Sequence, residues 1–497
     1  MADASAQPPD VADLNVRRGH FLGVTLVAFA ELWERASYYS IVALIALFAI
    51  ASTKDGGLGL TNSDAIEISG DYTLMAFGLP VIFGFLGDRF VGHYRAVVLG
   101  AMVIVSGHAT LFFGDHTNLT TFWAALWLIA IGTGLLKPAM PCLVSSFYGQ
   151  NRMRRDRAFK YYYMMINIGG MIGPLVAGII QVRWGFDWAF LWAGLGMTLA
   201  LVVLVFARPL VPHTERGRPG YEIDGVPEPP DPIAEDHHRL RVNMTMLSII
   251  FLLFMVWALA YGVFAGSATS ELIGNAYVDR EVLGWTIPAA AMNSIEPAII
   301  VLATPLLALL LTWLARRGKF PHSVLQMVLG GLLSCAAVVT LGWLAMEIPS
   351  GVTAAPVIGL GVFVGAYALM SIGEILISPV YMALITRLAP RRQQATWQGS
   401  VLLAIGLLGF ATSRIGAYAE SDGGIHRVGT FVITGAAAFA VVVLFSILTP
   451  VLIRTIQRYN PMPIGADSQL DDELEILTQL DASEPAVGVR VEKTGDS

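Results

Sequence analysis

The residues of this chain with the clearest capacity for chemistry lie in the segment 31–40, ELWERASYYS. Three of them are ionisable and two are tyrosines: Glu31, Glu34, Arg35, Tyr38 and Tyr39. The ten residues on each side contain no charged side chain, a pattern typical of a membrane span. A charge inside a bilayer costs about 2.5–3.5 kcal/mol on insertion scales, and such residues generally serve binding or proton pathways. The segment is therefore predicted to be functional.

Helical geometry places these five side chains together. Successive residues of an α-helix are rotated by about 100°, which puts the three ionisable residues and both tyrosines on one face about 140° wide. Glu31 and Arg35 are four residues apart with the acid first, the favourable order for an ion pair. Because hydrocarbon cannot solvate such groups, the face is predicted to line a polar cavity. The alternative, an ion pair that only joins helices, does not account for the third charge or for the tyrosines.

Four more polar residues interrupt apolar stretches, at Lys137, Asn167, Glu296 and Glu374. The cations Arg35 and Lys137 lie in the first half of the chain, whereas the anions Glu296 and Glu374 lie in the second half. A cavity with one cationic and one anionic wall fits a zwitterion whose opposite charges are well separated. For a single glutamate, a hydrogen bond in helix packing is the alternative.

The elements that must position these residues are membrane helices. Of the 497 residues, 55% are hydrophobic and only 14% are charged, whereas soluble proteins carry about 25% charged residues. A span needs about 20 apolar residues. The sequence thus predicts an all-α polytopic membrane protein with about twelve transmembrane helices, near residues 21–50, 65–87, 95–114, 121–147, 157–181, 187–207, 243–270, 287–315, 322–346, 355–386, 396–418 and 428–454.

Several other classes of function are excluded. The formal net charge of −6 predicts no nucleic-acid partner. Cys142 and Cys335 fall in apolar runs, which argues against a structural disulfide and against a metal site. The sequence contains no Gly-x-Ser-x-Gly, no His-Glu-x-x-His and no pair of membrane aspartates, so we expect that the protein is not an enzyme and has no catalytic residues.

Polar segments divide the chain into five parts. The predicted domains are a cytoplasmic N-terminus (1–20), an N-terminal six-helix bundle (21–207), a cytoplasmic linker (208–242), a C-terminal six-helix bundle (243–454) and an acidic cytoplasmic tail (455–497). The distribution of basic residues sets the orientation. Of the 31 lysines and arginines, those on the outer side are Lys54, Arg183, Arg280, Arg414 and Arg427 when both termini are cytoplasmic. Cytoplasmic termini are therefore predicted.

Two six-helix halves joined by a cytoplasmic linker resemble the major facilitator fold, in which substrate binds between the halves near the bilayer midplane. The segment 84–95, GFLGDRFVGHYR, is similar to the loop signature of that fold. Asp88 and Arg89 are therefore predicted to act in gating, through contacts that hold the cytoplasmic side closed. Ordinary juxtamembrane basic residues are the alternative.

Four motifs together resemble those of the proton-dependent oligopeptide transporter (POT/PTR) family, of the bacterial type. ELWERASYY is similar to the family's Glu-x-x-Glu-Arg-Phe-x-Tyr-Tyr motif, and FKYYYMMINIGGM is similar to its second signature. GTGLLKP matches the motif of the fourth-helix lysine, and GEILISPV matches that of the tenth-helix glutamate. The resemblance covers essentially all predicted spans in order.

The resemblance implies a proton-coupled symporter that imports di- and tripeptides by alternating access, with no cofactor and with protons as the coupling ion. Arg35 and Lys137 would bind the peptide carboxylate, and Glu374 would bind the terminal ammonium. The other implied substrate-binding residues are Tyr38, Tyr39, Asn167 and Glu296. The implied proton-coupling network consists of Glu31, Glu34 and Arg35.

The chain departs from the family pattern at Ala36, Ala139, Tyr261, Glu296 and Val401. These positions bear on the pockets for substrate side chains rather than on the proton and carboxylate groups. Glu296 stands where the family has asparagine, and it adds a second negative charge near Glu374. Two nearby carboxylates in a low dielectric do not both stay ionised, so this wall is predicted to favour peptides with additional positive charge.

Two other functions are compatible with the same residues. One is transport of a different zwitterionic or peptide-like solute by the same fold, and the other is a peptide sensor that does not transport. The expected partners are a di- or tripeptide, protons and the lipid bilayer. The protein is predicted to be a monomer, inserted as a multi-pass protein in the inner (cytoplasmic) membrane.

Overall fold

The structure is a computed structural model that describes residues 11–86, 90–115, 117–147, 152–211, 236–262, 269–319, 321–346, 357–421 and 424–459. The predicted gating residues Asp88 and Arg89 lie outside these ranges. So do most of the predicted linker and the acidic tail beyond Tyr459.

Helices account for nearly all of the described chain. The first half contains α1 (Val11–Ile50), α2 (Asn62–Leu86), α3 (His93–Phe113), α4 (Leu119–Ser146), α5 (Arg152–Trp184) and α6 (Phe186–Ala207). The second half contains α7 (His237–Tyr261), α8 (Thr269–Tyr277), α9 (Ile295–Arg316), α10 (Ser323–Met346), α11 (Leu360–Leu388), α12 (Arg391–Ser421) and α13 (Gly424–Tyr459). Single 3₁₀ turns occur at Thr53–Asp55, Arg208–Leu210 and Ala290–Ser294.

Twelve of the described helical segments are long and apolar enough to cross a membrane, which confirms the predicted number. A lipid-exposed backbone must satisfy its own hydrogen bonds, so apolar runs of this length form helices. The first of these spans is Phe21–Ile50, but α1 itself begins earlier, at Val11, within the predicted N-terminal segment. At the other end of the chain, α13 continues to Tyr459.

The bounds of two spans predicted in the second half differ from those of the described helices. The span predicted at 243–270 extends beyond the described helix: α7 runs to Tyr261, α8 begins at Thr269, and residues 263–268 lie outside the described ranges. The span predicted at 287–315 begins with the 3₁₀ turn, and α9 starts only at Ile295. Pro297 then lies in the first helical turn, where its missing N–H is not needed.

Four two-residue strands connect the helices at one end of the second half: β1 (Val278–Asp279), β2 (Glu281–Val282), β3 (Trp285–Thr286) and β4 (Ile358–Gly359). β1 pairs in parallel with β4, and β2 pairs antiparallel with β3. The turn between β2 and β3 consists of Leu283 and Gly284, at φ values of 52° and 78°. Positive φ at both positions is characteristic of tight hairpin turns.

Each half has its own hydrophobic core, as expected for the major facilitator fold. One core is centred on α1–α6 and includes Phe48, Phe122 and Phe190. The other is centred on α7 and α9–α13 and includes Phe254 and Tyr381. The two six-helix halves therefore pack largely around separate cores.

The halves touch most closely where α2 packs against α12. A Cβ atom on Gly70 would lie 1.7 Å from Ser413 Oγ, and one on Gly409 would lie 2.7 Å from Thr73 Cγ2. Neither glycine can be replaced by a larger residue without separating the helices. This contact lies toward the ends of α2 and α12 that are remote from the two chain termini, because α2 begins and α12 ends there.

Ion pairs between the halves lie at the same end of the bundle. Arg414 of α12 forms an ion pair with Glu67 of α2, and its Nη2 donates to Asp71 Oδ1 at 2.8 Å. The Arg414 guanidinium also lies 4.8 Å from the centroid of the Phe410 ring. The halves are thus held together at the end remote from the termini.

Candidate functional site

The centre of α1 carries a buried cluster of opposite charges. Glu31, Glu34 and Arg35 are only 3%, 1% and 4% exposed. Arg35 Nε lies 3.1 Å from Glu31 Oε1 and also forms an ion pair with Glu34 Oε2. Both carboxylates therefore compete for one guanidinium nitrogen. A buried ion pair persists when its charges are mutually compensated, so changing the charge of one partner disturbs the others.

Helix α5 supplies a further partner, Tyr162, which sequence reasoning missed. Its side chain is hydrogen-bonded to Glu31. The only signal was the run of three tyrosines in FKYYYMMIN, a segment that would otherwise be apolar. The close approach of α5 to α1 depends on Gly169 and Gly173, because Cβ atoms there would lie 2.3 Å from the Leu32 carbonyl oxygen and 2.2 Å from that of Ala36. Small residues four apart allow such contact between membrane helices.

Lys137 of α4 is held against aromatic rings beside this cluster. Its Nζ atom lies 3.5 Å from the ring centroid of Phe77 and 5.5 Å from that of Tyr38. The Arg35 guanidinium is 5.2 Å from the same Tyr38 ring, which also stacks on Tyr72. Aromatic faces stabilise cations without neutralising them. The structure thus places Arg35 and Lys137 at one tyrosine, where both can act on the same anion.

The two glutamates of the second half meet each other. Glu296 is in the first turn of α9, and its side chain is hydrogen-bonded to that of Glu374 in α11. Two carboxyl groups this close together do not both stay ionised in a low dielectric. The predicted juxtaposition of two carboxyl groups is therefore found.

Tyr39 and α5 connect the two charged walls. Tyr39 lies close enough to interact electrostatically with Arg35 and with both Glu296 and Glu374. A Cβ atom on Gly170 of α5 would lie 3.1 Å from Pro297 Cγ and 3.2 Å from the Tyr39 ring. Contacts near the middle of the bundle therefore bring the cationic and anionic walls to a single tyrosine.

Asn167 belongs to the same region but is engaged within its own helix. Its Nδ2 donates to the Tyr163 carbonyl oxygen at 2.9 Å, and its side chain is also hydrogen-bonded to that of Tyr163. Tyr163 in turn interacts electrostatically with Glu374 and Tyr39. Tyr163 was not among the predicted site residues, and it is the more exposed of the two.

A buried acid in α8 was also missed. Glu271 is 6% exposed, and its side chain lies close to that of Asn293 in the 3₁₀ turn before α9. It lies ten residues beyond Tyr261, the position in this part of the chain where the sequence departs from the family pattern. Among the other departures, Val401 is buried in the core of the second half, and Ala139 is buried in that of the first.

One further polar contact lies outside the charged face of α1. Ser37 Oγ is 2.8 Å from Nε2 of His108 in α3, and both residues are buried. Ser37 is rotated by about 240° from Glu31 around the helix and so lies outside the face that carries Glu31 and Arg35. The contact therefore joins α1 to α3 rather than contributing to the cavity face.

Comparison with known proteins agrees with these features. The model of the POT family, PTR2, matches residues 94–220 and 234–420. Peptide transporter YePEPT of Yersinia enterocolitica subsp. palearctica serotype O:3 (strain YE-P4) is 28% identical over 462 residues, which cover 81% of this chain and 89% of that protein. Dipeptide and tripeptide permease A of Edwardsiella piscicida is 25% identical over 478 residues, which cover 85% and 91%.

Solved structures share the same fold. A crystal structure of a mutant of the peptide transporter POT in complex with alafosfalin has a TM-score of 0.73 at 23% identity, covering 87% of this chain and 95% of that one. A POT family transporter in complex with 5-aminolevulinic acid has a TM-score of 0.73 at 21% identity, covering 86% and 96%. Because the family model matches more than half of the chain, the protein belongs to the POT family.

Proposed function

We propose that the protein is a proton-coupled symporter that imports di- and tripeptides by alternating access. The observation that carries this proposal is the pairing of two walls, with Arg35 and Lys137 at Tyr38 and the carboxyl groups of Glu296 and Glu374 near the neighbouring Tyr39. A free peptide has an anionic end and a cationic end. The names of the relatives, a peptide transporter and a dipeptide and tripeptide permease, support the same substrate class.

The peptide carboxylate and the two glutamates compete for Arg35 in this mechanism. Its guanidinium is occupied by Glu31 and Glu34, so a peptide carboxylate must displace at least one of them. Protonation of a glutamate removes its negative charge, which weakens its hold on Arg35 and leaves the guanidinium available to the peptide. Tyr162 stabilises the charged form of Glu31 through its hydrogen bond. Proton entry and peptide binding thus favour each other.

The membrane potential supplies the driving force. Moving one positive charge inward is worth about 2.3 kcal/mol per 100 mV, which corresponds to an accumulation ratio of about 40-fold. Protons bound near Glu31 and Glu34 would be released when the halves rotate and the site faces the cytoplasm. The protein would act as a monomer in the cytoplasmic membrane, with both termini inside.

Uptake into proteoliposomes tests this function. We expect labelled dialanine to accumulate when the lumen is alkaline relative to the outside, and unlabelled di- and tripeptides to compete. Accumulation of another zwitterion in place of peptides would assign a different cargo. Saturable peptide binding without counterflow would instead make the protein a sensor.

The ion pairs of Arg414 are expected to control opening on the outer side. Replacing Arg414 with glutamine removes its ion pairs with Glu67 and Asp71. Partly exposed ion pairs of this kind are worth about 1 kcal/mol. A cysteine at Ser63, which lies beside α12, should then react about fivefold faster with an impermeant maleimide in a background without Cys142. Arg183→Gln, at the end of α5, is the control and should leave the rate unchanged. Equal rates in both variants would show that these pairs do not hold the outer side closed.

Glu296 is expected to set preference for cationic peptides. Replacing it with asparagine removes one carboxyl group of the pair with Glu374 and therefore one potential negative charge. Affinity for lysine-containing dipeptides should fall about tenfold relative to dialanine, because a hydrogen bond to a charged group is worth about 1.5–3 kcal/mol. Competition assays over a range of pH should also show a flatter pH dependence. If selectivity and pH profile both stay as in the parent, Glu296 acts only in helix packing.

A further inference from the structure

A basic groove lies at the membrane face that carries the two termini, between the first turns of α7 and the last turns of α13. Its volume is about 480 Å³. Arg241 of α7 and Arg454 and Arg458 of α13 converge on it, and all three side chains are exposed. The groove is separate from the peptide site, which lies between the halves.

No acidic residue lines this groove within the part of the chain that the structure describes. Asp236, just before α7, accepts hydrogen bonds from the backbone N–H groups of His238 and Arg239, each at 3.0 Å. The bond from Arg239 holds the pKa of Asp236 below its ordinary value, so this carboxylate stays ionised at the start of α7. Since Asp236 is occupied by these backbone groups and no described acidic residue lines the groove, its three arginines have no described carboxylate partner.

The position of the groove along the membrane normal distinguishes it from an ordinary basic surface. It lies at the ends of the spans His237–Leu259 and Gly435–Tyr459, at the level expected for lipid headgroups. Its lining also includes two apolar side chains of α7, Val242 and Met246, together with Thr245 and Thr455. A free anion or an acidic peptide would use the charges but not these apolar side chains. A phospholipid with an anionic headgroup would use both.

We propose that this groove binds an anionic phospholipid, with the phosphate held by Arg241, Arg454 and Arg458 and an acyl chain lying along Val242 and Met246. Arginine is suited to this role because its planar guanidinium donates two parallel hydrogen bonds to a phosphate. Basic pockets between membrane helices on the cytoplasmic side are a recognised form of lipid site. A bound lipid would join the first and last helices of the second half, where Nε2 of His238 already lies 3.0 Å from the Tyr459 hydroxyl oxygen.

Native mass spectrometry of the purified full-length protein with added phosphatidylglycerol or phosphatidylcholine tests the proposal. Each basic residue at an anionic surface contributes about fivefold in affinity. Arg454→Gln/Arg458→Gln should therefore weaken phosphatidylglycerol binding by roughly 25-fold. The matched control is Arg316→Gln/Arg317→Gln, which removes two exposed arginines from the end of α9 at the same membrane face. It should change the affinity by less than about twofold.

Several outcomes would overturn the proposal. One is an equal loss in both double variants, and another is no preference for phosphatidylglycerol over phosphatidylcholine. Displacement of the lipid by inorganic phosphate at similar concentration would reduce the groove to a simple phosphate site. Neutralising the acidic tail at Asp471, Asp472, Glu473 and Glu475 should leave lipid affinity unchanged. A marked rise would make the tail the occupant.

Discussion

Replacing Glu31 or Glu34 with glutamine is expected to abolish proton-driven peptide accumulation while part of the counterflow activity remains. Each substitution removes a carboxylate that holds Arg35 and that, in the proposed mechanism, exchanges a proton during transport. At a membrane potential of 100 mV, the accumulation ratio of about 40-fold should fall to near unity. Counterflow needs only binding and rotation of the halves, so it should survive. Uptake and counterflow of labelled dialanine in the same proteoliposomes measure both quantities.

Two controls sharpen this experiment. Glu281→Gln, at an exposed strand in the hairpin of the second half, should leave both activities intact. Tyr162→Phe removes only the hydrogen bond to Glu31 and should give an intermediate coupling defect. Each glutamine variant removes one member of a buried charge cluster, which can destabilise the fold. Size-exclusion chromatography therefore serves to identify variants that have lost their fold. Full accumulation by both glutamine variants would remove Glu31 and Glu34 from proton coupling.

Replacing Lys137 with alanine is expected to weaken binding of free peptides much more than binding of peptides with an amidated C-terminus. Lys137 Nζ lies 3.5 Å from the ring centroid of Phe77 and 5.5 Å from that of Tyr38, and the Arg35 guanidinium lies 5.2 Å from the same Tyr38 ring. A charge-assisted hydrogen bond is worth about 1.5–3 kcal/mol, so the affinity for dialanine should fall about 10- to 150-fold. The amidated peptide lacks the carboxylate and should lose less than about threefold. Competition binding with the two ligands measures the difference.

Lys137→Arg is the conservative companion variant. It retains the positive charge and should recover most of the affinity for dialanine if charge is what matters. Equal losses for free and amidated peptides would assign Lys137 to gating or to packing against Phe77. Because Lys137 also interacts with Glu31 and Glu34, its removal should alter the pH dependence of uptake in addition to affinity. A variant with reduced affinity but an unchanged pH profile would limit Lys137 to carboxylate recognition.

The sequence by itself determined the membrane architecture and the composition of the charged cluster. Twelve spans followed from the apolar runs, because a backbone inside lipid must form its own hydrogen bonds. Helical periodicity alone placed Glu31, Arg35 and both tyrosines on one side of α1. These are local properties, set by neighbours within a few turns of one helix. The start of α9 was harder to predict, because a proline-containing segment weakens the helical pattern.

Only the tertiary structure decided which polar residues meet. Tyr162 with Glu31, Glu271 with Asn293, and Glu296 with Glu374 are pairs between different elements of the chain. The ion pair of Arg414 with Asp71 spans 343 residues of sequence. Periodicity shows which face of a helix is polar but not which helix covers that face. That choice depends on close approach at small residues such as Gly169 and Gly70, because van der Waals packing and interhelical hydrogen bonds, rather than hydrophobic burial, select helix partners in a membrane.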